Sequence, residues 1–98
     1  MIIHTREIGY SENYQEFFEA LVKAKTYMEK KYPEISVELM YSLAGERGRA
    51  TIQTRYASLA DYERIDAEAD NDEAYAKLLE PLMDMDVHPI VDQFYRVI

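Results

Sequence analysis

The feature that most constrains this chain is a change of period at residues 35–56. "ISVELMYSL" (35–43) and "RATIQTRY" (49–56) both alternate with period two, and "AGERG" (44–48), with two glycines, lies between them. That pattern predicts an antiparallel hairpin. Helical spacing flanks it on both sides. Upstream, Tyr14, Phe17, Phe18, Leu21, Ala24 and Met28 recur as one helix face, ending at Lys30-Lys31 and Tyr32-Pro33. Ser11 is the expected N-cap, with Glu12 in the first turn. Downstream, Ser58 and Asp61 resemble a capping box before Leu59, Tyr62 and Ile65. "EADND" (68–72) then breaks the pattern, and a second helical piece starts near Asp72, with Pro81 close to its end.

The outer segments complete the order. "IIHTREI" (2–8) reads as a first strand broken by Gly9, "DMDVHPIVD" as a connector, and "QFYRVI" (93–98) as a last strand. The result is β-α-β-β-α-β, a ferredoxin-like α+β domain spanning 1–98. Its four-stranded antiparallel sheet carries both helices on one face, with the first and third strands central.

Parity divides the sheet into two faces. Val37, Leu39, Tyr41, Leu43, Ala50, Ile52 and Tyr56 are expected under the helices. Glu38, Met40, Thr51, Gln53 and Arg55 are expected on the opposite, open face. The first strand is ambiguous, because Ile2, His4, Arg6 and Ile8 are no more apolar than Ile3, Thr5 and Glu7.

Composition excludes several functions. The 98 residues support one core, and a hydrophobic fraction of 48% argues against disorder. A formal charge of −8 disfavours nucleic acid and anionic membranes as partners. With no cysteine, disulfides, thiol catalysis and Cys-based metal sites are ruled out. No signal peptide or membrane span is visible, so a soluble cytoplasmic protein is expected. There is no Gly-rich phosphate loop and no nucleophile elbow, and no cofactor is expected.

Two groups of residues could carry chemistry. His4 and His88 are the only histidines and could form an acid–base pair. The plainer reading makes them local structural residues. Asp84, Asp86 and His88 alternate and would chelate a metal if extended, but an acidic surface connector explains them more simply, and no metal is expected. Tyr14, Phe17, Phe18, Tyr41 and Tyr56 could enclose a flat apolar ligand, or simply fill the core. Arg55 could bind an anionic ligand, or pair across an interface.

The element order, the strand-to-helix step "ATIQTRYASLADYER" and the break "DNDEAYAKLL" resemble the dimeric α/β-barrel superfamily. Within it the chain is similar to NIPSNAP-like and antibiotic-biosynthesis-monooxygenase-like small domains, whose second half-helix opens with a "D-P-E-W" type motif. The resemblance implies a homodimer with two sheets packed face to face. It implies a small aromatic or polyketide-like ligand and a cofactor-independent monooxygenase, with His4, Tyr56 and His88 as catalytic candidates. The alternative it leaves open is a non-catalytic binding or assembly module. Haem-degrading members use an Asn–Trp–His set, and this chain has no Trp. Cyclase-like members pair a first-strand His with one in the middle of the second helix. Here His4 matches the first, but 71–73 read Asn-Asp-Glu.

Overall fold

The computed structural model describes residues 1–11, 14–45 and 48–98. Its elements run β1 (Ile2–Tyr10), α1 (Tyr14–Lys31), β2 (Ser36–Tyr41), β3 (Arg49–Tyr56), α2 (Leu59–Asp70), α3 (Glu73–Met83) and β4 (Val87–Arg96). The sheet order is β2-β3-β1-β4, antiparallel throughout, so β1 and β3 are central as expected. The helices share one face, with α1 packed on α3 and β2, and α2 on β3. One sheet and one helix layer make a slab of 35 × 33 × 18 Å. This is a ferredoxin-like α+β fold.

Register resolves the first strand. Ile2, His4, Arg6 and Ile8 stand opposite Tyr56, Thr54, Ile52 and Ala50. Directly opposed residues share a face, so this set lies under the helices and Ile3, Thr5 and Glu7 lie on the open face. The core forms in two clusters. One joins Ile2, Tyr32, Ile35, Val37, Tyr56 and Ile65; the other joins Phe17, Leu21 and Ala50. The open face carries ion pairs, Arg49 to Glu7 at 2.8 Å and Arg55 to Glu38 at 3.6 Å.

Several expectations change. Tyr41 and Leu43 are exposed rather than covered, because β2 ends at Tyr41. The Ser11 hydroxyl donates to Asp86, and the helix it was expected to cap is described from Tyr14. Glu12 lies outside the described residues, as do Glu46 and Arg47 of the hairpin loop.

Gly9 does not end β1. A Cβ there would lie 2.5 Å from His88 Nε2, so glycine leaves room for the His88 imidazole across the β1–β4 pair. The stretch from Val87 is strand, not connector. Glu7 pairs with Val91 and Ile8 with Pro89, leaving Ile90 as an extra residue in a bulge. Pro89 is tolerated because β4 is an edge strand.

The helix break at 68–72 is a capped joint. Ser58 Oγ accepts from the Asp61 amide at the start of α2. Asp72 caps α3 by accepting from the Tyr75 amide, and its other oxygen accepts from Tyr27 at 2.6 Å and Lys31 at 2.7 Å on α1. Pro81 sits in the last turn of α3. Ser58→Ala is expected to cost about 1 kcal/mol in urea unfolding. Asp72→Ala is expected to lower the urea midpoint further, because it frees three donors at once.

Candidate functional site

A cavity of about 330 Å³ lies between the sheet and the helices. Small residues make the room. Ala24 on α1, Ala69 on α2 and Thr54 on β3 line it where larger side chains would close the core. Leu21, Met28, Leu39, Ile52 and Leu79 form an apolar wall. The polar groups converge from five elements: His4 and Arg6 from β1, Thr54 and Tyr56 from β3, Tyr62, Asp66 and Asp70 from α2, Tyr75 from α3, and Lys25 from α1.

His4 is the distinctive group. It is 9% exposed, and its buried Nε2 has no hydrogen-bond partner among the described residues. Asp92 Oδ1 is near it, but at 3.7 Å it is beyond hydrogen-bond reach. That carboxylate is held by Arg6, whose Nε donates to Oδ1 at 2.9 Å and whose Nη2 donates to Oδ2 at 3.2 Å. The His4 ring stacks on Phe94 at 4.7 Å and meets Tyr62 at 5.6 Å. Tyr62 in turn stands edge-on to Phe94 and to Tyr56. A polar imidazole is thus held in place by aromatic packing.

Electrostatics set the protonation states. Burial, then the Arg6 guanidinium, lowers the His4 pKa below its ordinary value of 6.5, so the ring is neutral at neutral pH. Arg6 holds Asp92 below the usual carboxylate range, chiefly through their hydrogen bonds. Burial pushes the Tyr56 phenol up to about 12, and raises Tyr62 and Tyr75 as well. The site therefore offers one imidazole able to accept a proton and three phenols that stay protonated as donors.

The sequence candidates fall in different places. His4 and Tyr56 line the same cavity. His88 does not join them: its register partner is Gly9, so it lies on the open face while His4 lies under the helices. Tyr14 is exposed, and Phe17 is fully buried core. Phe18 packs on Tyr10, Phe17 and Tyr41 at the far end of the sheet. Arg55 is on the open face beside Glu38. Neither these residues nor Tyr41 line the cavity. Asp84, Asp86 and His88 do not converge, and no group of three or more metal-ligating side chains occurs among the described residues.

Arg6, Asp92, Phe94 and the cavity-facing role of Tyr62 and Tyr75 escape sequence reasoning. Arg6 and Asp92 are 86 positions apart, and only the β1–β4 register sets them side by side. Parity relative to His4 was the available signal, since Arg6 must share its face.

No protein-family model matches the sequence, and no curated protein sequence matches it. Solved structures do resemble the fold. A NIPSNAP domain protein from Burkholderia xenovorans superposes with a TM-score of 0.81 at 10% identity, covering 100% of this chain and 95% of that one. A Deinococcus radiodurans protein provisionally classed as an antibiotic biosynthesis monooxygenase gives 0.74 at 12%, covering 99% and 92%. SnoaB from Streptomyces nogalater, a cofactor-independent oxygenase, gives 0.71 at 8%, covering 98% and 91%. The fold is the one shared by NIPSNAP and antibiotic-biosynthesis-monooxygenase proteins. No helix among the described residues is long and apolar enough to cross a membrane.

The lowered His4 pKa has a stability consequence. Between 6.5 and the lower folded value, the unfolded chain binds more protons than the folded one, so stability rises with pH across that window. Thermal unfolding is expected to show Tm falling as pH drops below about 6.5, with a shallower fall in His4→Phe. A Tm insensitive to pH over that range, or an identical slope in His4→Phe, would exclude a neutral buried His4.

Proposed function

We propose that the cavity binds a compact hydroxylated aromatic compound and that the protein oxygenates it without a metal or organic cofactor. The observation that carries this reading is a neutral, buried His4, whose Nε2 lacks a hydrogen-bond partner among the described residues, lining a largely apolar cavity together with Tyr56, Tyr62 and Tyr75. The volume is near the lower end for small-molecule pockets, which suits a ligand of two or three fused rings. The likeness of fold to SnoaB supports the reaction type.

In this scheme the protonated phenols of Tyr56, Tyr62 and Tyr75 orient the ligand's oxygens, and the His4 imidazole takes a phenolic proton. The resulting anion is electron-rich enough to reduce molecular oxygen. A ring methylene becomes a carbonyl, one oxygen atom enters the product, and the other leaves as water with the two methylene hydrogens. The exchange balances with no external reductant.

The open sheet face completes the proposal as a homodimer contact. It carries exposed Met40, Val91 and Tyr95 beside the Arg49–Glu7 and Arg55–Glu38 pairs, a mixed surface that a second copy can cover. Sedimentation at micromolar concentration is expected to give twice the chain mass, and a monomer would remove this contact.

A panel of hydroxyaromatic compounds tests the activity. A ligand at a hundredfold its Kd should stabilise the fold by about 2.7 kcal/mol in thermal shift. His4→Gln is expected to cost about 10²- to 10⁴-fold in turnover while leaving that shift intact. His88→Gln, on the opposite face, should leave turnover unchanged. A thermal shift with no oxygen consumption for any bound compound would make the protein a binder and not an oxygenase.

A further inference from the structure

His4 raises a physical difficulty as a base. Its proton acceptance creates a cation in a buried site and an anion on the ligand, and a low-dielectric site opposes both. The charged and titratable groups around it come from every packed element. They are Arg6 on β1, Asp92 on β4, Tyr56 on β3, Tyr62, Asp66 and Asp70 on α2, Tyr75 on α3 and Lys25 on α1. Arg6 and Asp92 already form a bidentate pair at the cavity edge, with side chains 47% and 45% exposed. Both can therefore turn without repacking the core. Asp92 Oδ1 needs to move by less than about 1 Å, from 3.7 Å, to reach hydrogen-bond distance of His4 Nε2.

We propose that Arg6 and Asp92 are a reserve of counter-ions that His4 and the ligand share out when the proton moves. In the resting protein the two charges neutralise each other. On proton transfer the ligand O–H bond breaks and an N–H bond forms on the His4 ring, which leaves the imidazolium with Nε2–H on the Asp92 side. Asp92 then accepts a hydrogen bond from the imidazolium, and Arg6 turns its fork to the new phenolate. Two neutral partners and one ion pair become two ion pairs, with no unpaired charge at any stage. Arg6 and Asp92 act as positioning residues, and they select ligands whose ionisable oxygen reaches the Arg6 side of the cavity. This inference rests on the proposed function for the source of the proton and for the phenolate that Arg6 meets.

The test needs no substrate. The His4 imidazole is titrated by NMR in the wild type, Arg6→Lys, Asp92→Asn and the double variant, with His88→Gln used to assign the two histidine signals. Lysine keeps the charge but cannot hold a carboxylate with a fork. Arg6→Lys should therefore free Asp92 and raise the His4 midpoint by about one pH unit. Asp92→Asn should lower it, and the double variant should behave as Asp92→Asn alone. An unmoved midpoint in Arg6→Lys, or a rise that persists without Asp92, overturns the proposal.

The wild type gives a second check should a variant not fold. The Arg6 Nε–H and Asp92 carboxyl signals must shift with the His4 midpoint, and signals that ignore it also refute the exchange. If the coupling is present but no aromatic compound is oxygenated, the oxygenase reading fails and the counter-ion exchange stands. If turnover proceeds without the coupling, the exchange alone fails.

Discussion

The double pairing of β1 governs the rest of this structure. The strand is hydrogen-bonded to β3 on one side and β4 on the other, so its register decides what the sheet presents to the helices. A slip of one residue would exchange His4 and Arg6 for Ile3 and Thr5, emptying the cavity of its imidazole and its guanidinium. The Glu7–Ile8 irregularity, the Gly9–His88 contact and the Pro89 edge position lie at one end of this strand. They adjust β4 there, while the ladder of Ile2 to Glu7 continues with the partners that bring Phe94 and Asp92 beside His4 and Arg6.

Packing above the sheet is divided between closure and space. Phe17, Leu21 and Ala50 close one end, and Ile2, Tyr32, Val37 and Ile65 close the other. Between them, alanines on α1 and α2 leave the cavity open to a ring system. The Asp72 cap holds the joint between α2 and α3 to α1 through Tyr27 and Lys31, so the helix layer keeps its position over that space. Stability and site are thus built from the same layer, with small residues in one stripe and large ones at its ends.

The chemistry follows from placing one neutral imidazole and several un-ionised phenols against an apolar wall. Burial acts in opposite directions on the two kinds of group: it lowers the histidine and raises the tyrosines. Each is driven to its uncharged form, one ready to take a proton and the others ready to donate hydrogen bonds. Arg6 and Asp92 behave differently. They retain their charges because each satisfies the other at the cavity's edge.

By itself the sequence determined the element order, the hairpin, the central strands, the cap at Ser58, the helix restart near Asp72 and the polar open face. These follow from local periodicity and turn chemistry, which act over a few residues. His4 and Tyr56 were legible as candidates because histidines are rare here and Tyr56 lies on a clear apolar parity. Their separation from His88, and the placing of Phe17, Phe18, Tyr41 and Arg55 away from the cavity, depended on tertiary register. So did the Arg6–Asp92 pair. A two-residue period says which side chains alternate, but only pairing with β3 and β4 says which of β1's two faces is buried, and a contact between positions 6 and 92 has no local signal at all.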